Sequence, residues 1–268
     1  MEIQENIFQK SVVSNVMDGK FGELIFLASV EGMGKVTFAN NLIFHLLPTE
    51  NLPIVVFSFE RPTSDWKYQL LFNVTKSTFP NRDERRQFLD NTWVKVNASP
   101  NPLPNKKLYI DGVNSKNVQQ LKQQCEQIGK FHNNKFGLIV IDYFELMEQN
   151  AALTSHVILA TLKELAKQMQ CPILVLSTLT AQNIGQEYVR PTIPNIPYWH
   201  EIKGQADSIL FLYYPDYYFN PFDDIDSDDN QTTYKDGIQP TELIIVKQPN
   251  QSPKTLNLDF DVSRATYL

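Results

Sequence analysis

Three groups of residues have the types and spacing to handle a phosphate ester. The first is Gly32-Met33-Gly34-Lys35-Val36-Thr37. Glycines let a backbone close around an anion, the lysine supplies a charge, and a loop of this kind opening a helix aims its first N–H groups at phosphate. The second is Glu60, directly after the apolar run 53–59, and the third is Asp142, ending the run 136–141. An acid at the carboxyl end of a parallel strand lies on the edge where α/β sheets bind ligands. There one carboxylate can activate water and another can hold magnesium through a water.

The loop departs from the usual phosphate-binding pattern at the residue after its lysine. A Ser or Thr hydroxyl there normally holds the metal. Val36 has no oxygen to offer, and Thr37 comes one place late, about 100° further round the helix. Magnesium binding is therefore counted against. Glu31 adds a carboxylate inside a loop whose task is to surround anions.

The elements that must position these groups are legible as alternating patterns. Leu24-Ile25-Phe26-Leu27-Ala28 is short and wholly apolar, as a buried parallel strand requires, and Ala39, Leu42, Ile43, Leu46 and Leu47 recur at helical spacing behind the loop. Further strands are predicted at 53–59, 108–111, 136–142, 172–178 and 208–213, with a closing hairpin over 243–247 and 256–260 whose tip spans 248–254. Helices are predicted over 64–92, from a cap near Ser115, and along Ile158, Leu162, Leu165 and Met169. The Pro- and Asn-rich segment 97–105 and the stretch 181–206, with Arg190, Tyr198 and Trp199, read as loops. The alternation predicts an α/β fold with a central, mainly parallel twisted sheet and helices on both faces. Residues 1–20 form a lead-in and 21–268 one domain, carrying a tyrosine- and aspartate-rich insert near 213–237.

Composition bounds the partners. The 268 residues carry a formal net charge of −6, with no lysine- or arginine-rich block. That argues against strong nucleic-acid binding. The mixed charges of residues 82–86 suit a solvated face. Cys125 and Cys171 are expected to be buried thiols, and His45, His132, His156 and His200 lack metal-ligand spacing. The acidic tract Asp223, Asp224, Asp226, Asp228 and Asp229 lacks the glycine and terminal glutamate of a calcium loop. With no apolar run of bilayer length and no signal peptide, the chain is expected to be soluble and cytoplasmic, with no membrane partner.

The order of motifs resembles the C-terminal RecA-like ATPase domain of the DnaB-family hexameric replicative helicases. The resemblance runs from about Gly22 onward. It is carried by Gly22-Glu23-Leu24-Ile25 into Gly32-Met33-Gly34-Lys35, by Phe57-Ser58-Phe59-Glu60, by Leu108-Tyr109-Ile110-Asp111, and by Leu138-Ile139-Val140-Ile141-Asp142-Tyr143-Phe144-Glu145-Leu146-Met147. Leu162-Lys163-Glu164-Leu165-Ala166-Lys167, Gln205-Ala206-Asp207 and Ile244-Ile245-Val246-Lys247-Gln248 extend it.

The resemblance implies a P-loop NTPase that takes ATP or ADP at Gly32 to Thr37. It makes Lys35 a phosphate ligand, Glu60 the base, Asp142 the magnesium holder through water, and Lys247 a lysine reaching a neighbouring subunit's nucleotide. It also exposes losses. Val36 replaces the metal-binding threonine, Thr178 a γ-phosphate-sensing glutamine, Ala181 a nearby arginine, and Pro249 the arginine finger, which is worth roughly 10³–10⁵ in turnover. The family's N-terminal domain and linker are absent from the chain, so a monomer or weak oligomer is expected, with weak single-stranded DNA binding at most. These features favour a degenerate nucleotide-binding or regulatory module, engaging a replicative helicase or another replication protein. The alternative is an active ATP-dependent DNA helicase-type ATPase.

Overall fold

In the computed structural model the described residues are 12–17, 21–49, 52–66, 69, 108–112, 117–149, 153–179, 190–215, 237–261 and 266–267. The expectations for residues 82–86, 97–105, Ala181 and the acidic tract lie outside them. Chain order runs α1 (Ser14–Val16), β1 (Leu24–Ser29), α2 (Lys35–Thr49), β2 (Ile54–Ser58), β3 (Leu108–Gly112), α3 (Val118–Gly129), β4 (Leu138–Asp142), α4 (Phe144–Gln149) and α5 (Ser155–Gln168). It continues through β5 (Ile173–Thr178), α6 (Trp199–Gln205), β6 (Ser208–Tyr213), β7 (Ile238–Lys247), β8 (Lys254–Asp261) and β9 (Thr266–Tyr267).

The nine strands form one sheet in the order β3-β2-β4-β5-β1-β6-β7-β8-β9. Strands β1 to β6 pair in parallel, and β7 to β9 are added antiparallel. The strand calls come out where both faces are covered. Alternation along β1 divides the core: Leu24, Phe26 and Ala28 meet α3, α4, α5 and α6 on one face. Ile25 and Leu27 meet α1 and α2 on the other. Period-two side-chain direction is what makes a continuous apolar run feed two layers. The hairpin of β7 and β8 is longer than its apolar residues indicated, because Ile238↔Asp261 pairing begins well before the core-facing stretch.

Two helical boundaries differ from the sequence reading. Helix α3 is capped by Asn117, whose side chain accepts from the Gln120 N–H at 3.0 Å while Gln120 accepts from the Asn117 N–H at 3.0 Å. This reciprocal box outcompetes Ser115 as the start. The segment expected as loop over 181–206 contains a 3₁₀ turn at Ile193–Asn195 and α6, because Ile196, Ile202 and Ala206 each find the core. Tyr198 packs edge-on to Phe144 at 6.0 Å, so its ring serves packing.

Asp207 locks the start of β1. Its Oδ2 accepts the Leu24 N–H at 2.7 Å and pairs with Lys163, whose ammonium also donates to the Gly22 carbonyl at 3.2 Å. Cys125 and Cys171 are free and buried, and burial raises both thiol pKa values. Among the described residues no helix is long and apolar enough to cross a membrane, and no cluster of three or more His, Cys, Asp or Glu side chains is placed to hold a metal ion.

Candidate functional site

The site is assembled at the carboxyl edge of β1, β2, β4 and β5. Gly32 and Gly34 take left-handed φ values of 81° and 85°, which L side chains adopt only with strain. They deliver the chain into α2, whose first residue is Lys35. Lys35 is 3% exposed. Its ammonium donates to the Ser29 carbonyl at 3.0 Å, the Ser29 hydroxyl at 3.3 Å and the Val30 carbonyl at 3.2 Å. Burial lowers its pKa to about 8, against the charges of Glu145, Asp142, Glu31 and Glu60, which favour the charged form. Those four carboxylates therefore share one field with the lysine.

Asp142 ends β4 opposite Ser58. It is fully buried, and one oxygen does the hydrogen bonding: Oδ2 accepts from the Trp66 indole at 3.1 Å and from the Ser58 hydroxyl at 3.2 Å. Oδ1 is buried with no partner. Burial pushes the carboxyl up to about 6, opposed first by the Trp66 hydrogen bond and then by the charge of Arg61. The peptide bond from Asp142 to Tyr143 is cis.

Glu60 lies two residues beyond β2, partly exposed, with its Oε2 3.6 Å from Arg61 Nε. The loop after it presses on β3. A Cβ built on Gly112 would lie 2.4 Å from the Thr63 nitrogen and 2.8 Å from the Arg61 carbonyl. Gly112→Ala is thus expected to displace the 61–63 turn, costing about 1–3 kcal/mol in stability by overpacking and weakening ligand binding at the edge. Thermal unfolding together with calorimetric titration of nucleotide checks this, and an unshifted midpoint would show the turn to be pliant.

Reading the sequence passed over three residues of this site. Glu145, one turn past Asp142, accepts from the Ser177 hydroxyl and from the Thr178 N–H at 3.3 Å, with its Oε2 buried and unpaired. Burial raises its pKa. Tyr143 lies beneath Lys35, whose Nζ is 5.4 Å from the ring centroid, and burial pushes its phenol up to about 12. Arg61 adjoins Glu60 and hydrogen-bonds Tyr143. A cation directly after the candidate base was the available signal.

The remaining predicted residues divide. Met33 and Val36 are buried, and Val36 packs with Phe38, Leu42 and their neighbours. Thr37 offers its carbonyl to the Asn41 amide at 2.8 Å. Lys247 stands apart. It pairs with Ile209 near the amino end of β6, and its ammonium donates to the carbonyls of Lys203 at 2.8 Å and Ala206 at 2.5 Å. That is the sheet edge opposite the glycine loop, so Lys247 serves no site built around Lys35 of its own chain.

A phosphate fits what is present: two left-handed glycines, a helix start and a buried ammonium. Magnesium is not matched in the same way. Position 36 supplies no oxygen, and of Asp142 only Oδ1 is unengaged.

Comparison with known proteins gives a consistent assignment. The family model described as the DnaB-like helicase C terminal domain matches residues 13–267. A probable replicative DNA helicase of Trieres chinensis is 27% identical over 247 residues, covering 90% of this chain and 52% of that protein. The replicative DNA helicase DnaB of Buchnera aphidicola subsp. Acyrthosiphon pisum (strain APS) is 29% identical over 245 residues, covering 89% and 50%. The chain thus spans about half the length of the curated relatives it matches. Among solved structures, a DnaB-like replicative helicase described with its interactions with primase has a TM-score of 0.72 or slightly less, namely 0.71, at 20% identity over 93% of this chain and 57% of that one. A KaiC-like protein from Pyrococcus horikoshii OT3 has a TM-score of 0.58 at 13% identity, covering 95% and 93%. These likenesses fit a RecA-like fold.

Proposed function

The chain belongs to the DnaB-like helicase C-terminal domain family, and from that premise we propose that it is a nucleotide-binding domain of DNA replication in which ATP hydrolysis is weakened or lost. The observation that carries the reading is Val36. It sits where the metal-binding hydroxyl belongs, buried to 5% exposure in an apolar cluster, so neither it nor a small rotation can supply an oxygen. Gly32, Met33, Gly34, Lys35, Val36 and Thr37 would hold the phosphates of ATP or ADP, Lys35 contributing the charge. Magnesium, when bound, would supply charge neutralisation through Asp142 and a water. Glu60 would polarise the attacking water in any residual turnover.

The domain would act as a binding or regulatory module toward a replicative helicase or another replication protein. Net charge of −6 supports only weak single-stranded DNA binding. The expectation of a monomer rested on segments missing from this chain, and the family assignment lends it no support. Lys247, at the edge away from its own glycine loop, favours a neighbouring copy as its target, as the resemblance implies. The second reading, an active helicase-type ATPase, draws on the unpartnered Asp142 Oδ1, which has room for a metal-bound water.

The test is calorimetric titration of ATP and ADP, beside a steady-state ATPase assay. Binding with negligible turnover is expected. Robust magnesium-dependent turnover that Glu60→Gln abolishes would replace this reading with the second one.

The same titration has a pH dependence. Lys35, with its pKa held at about 8, is mostly neutral at pH 9 and mostly charged at pH 7. An anion at the loop favours the charged form, so binding takes up a proton at alkaline pH. Metal-free nucleotide affinity is expected to be about tenfold higher at pH 7 than at pH 9, from linkage of one proton. Lys35→Arg, charged throughout, should flatten the profile. A profile that stays steep in that variant would trace the effect to another group.

A further inference from the structure

We propose that Arg61 is this chain's own cation on the metal side of the phosphate site, so that nucleotide binds with little dependence on magnesium. The proposal rests on the nucleotide-binding reading above and goes beyond it by naming the group that compensates phosphate charge. The geometry is specific. Arg61 directly follows Glu60, and its backbone N–H donates at 3.0 Å to the Ser58 hydroxyl, the group that also donates to Asp142. Its guanidinium lies 3.6 Å from Glu60, hydrogen-bonds the Tyr143 phenol, and counters the charge of Asp142. Arg61 Nε is buried with no hydrogen-bond partner. The same tyrosine ring lies beneath Lys35, so one residue joins the two cations of the site. Gly112 keeps space for the turn that carries Arg61.

Charge accounting explains why such a cation is needed. Lys35 is surrounded by Glu145, Asp142, Glu31 and Glu60. One lysine among four acids cannot also neutralise a triphosphate, and the usual remedy, a divalent ion, lacks its hydroxyl ligand at Val36. Magnesium demands near-octahedral oxygen coordination, so a lost ligand weighs heavily. A guanidinium has no such demand. It stays charged at all working pH values and its planar fork matches phosphate oxygens. Its present partner Glu60 is 40% exposed and Arg61 itself 36%, and ion pairs that open to solvent hold their members weakly. Arg61 is therefore available to exchange a carboxylate for a phosphate.

The experiment is calorimetric titration of ATP and ADP in excess magnesium and in excess chelator, using the wild type, Arg61→Gln, Arg61→Lys and Glu60→Gln. Thermal unfolding of each variant accompanies it. The wild-type Kd for ATP is expected to change by less than about threefold on chelation, whereas Arg61→Gln should lose about tenfold or more in chelator, the scale of one charged hydrogen bond, and distinctly less in magnesium. Arg61→Lys, which keeps the charge, should retain most of the chelator affinity. Glu60→Gln, which frees the guanidinium, should bind as tightly as wild type or tighter. Several results would overturn the proposal: unchanged affinity of Arg61→Gln in chelator, an equal loss with and without magnesium, or wild-type binding that collapses on chelation. Wild type that binds no nucleotide under either condition would overturn both this proposal and the reading beneath it. Wild type that binds while Arg61→Gln is silent removes this proposal alone.

Discussion

Val36→Thr combined with Pro249→Arg is expected to raise magnesium-dependent ATP turnover by on the order of 10²-fold over wild type, the value of one well-placed transition-state donor. The two changes address separate deficits. Val36 opens α2 beside Lys35, so a threonine there adds an oxygen at the metal position, at the cost of a hydroxyl at the border of the apolar cluster. Pro249 lies in the turn between β7 and β8, two residues past Lys247, and an arginine there acts only on a neighbouring copy. The single variants separate the effects: Val36→Thr should restore a magnesium dependence of nucleotide affinity, while Pro249→Arg alone should leave affinity unmoved. Glu60→Gln placed on the double variant should return turnover to background. A double variant no faster than wild type, yet binding ATP with magnesium, would locate the block elsewhere, with Thr178 the next candidate.

Tyr267→Ala is expected to lower stability by about 3–5 kcal/mol, the usual loss for truncating a buried aromatic, and to weaken nucleotide binding at the same time. Tyr267 is 1% exposed. Its ring meets Phe38 of α2 at 5.6 Å and Phe260 at 4.8 Å. Its N–H and the Thr266 hydroxyl both donate to Asn41 Oδ1, at 3.2 and 2.7 Å. The hydroxyl lies 3.3 Å from where a Cβ on Gly34 would stand. Strand β9 therefore braces the helix behind the glycine loop. Denaturant unfolding and nucleotide titration together check the coupling. Tyr267→Phe should lose much less stability, since it removes only the hydroxyl. A stable Tyr267→Ala with wild-type affinity would show that α2 holds the loop unaided.

Sequence patterning reached the parts of the fold that bury both faces. Strands β1, β4, β5 and β6 are continuous apolar runs because helices cover each side, and such runs are visible without any alignment. Lys35, Glu60 and Asp142 were legible for a related reason, since each follows directly from a strand end. What escaped depends on pairs far apart in the chain. Trp66 reads as one member of an apolar helix stripe, and its bond to Asp142 spans 76 residues. Glu145 was within a recognisable motif, but its charge matters only because Ser177 and Thr178 receive it. Helix α6 was hidden by its shortness and by its left-handed entry at Tyr198. Strand β9 has two residues and no pattern to show. Asn117, by contrast, was readable: Asn-x-x-Gln is a capping signature, and Ser115 was favoured only as a generic cap.

The position of β1 in the sheet also dictates when it can be sheltered during synthesis. Its neighbours are β5 and β6, and the partner of the Leu24 amide, Asp207, follows it by 183 residues. At ribosomal rates of about 5–20 residues per second, that partner emerges roughly 10–40 s after β1 has left the exit tunnel. Through that interval a strand apolar on both faces has neither of its sheet neighbours, and long-range parallel pairing is slow to form. Yield in a heterologous host is therefore governed by translation speed across residues 30–172 and by the supply of chaperones that hold extended apolar segments.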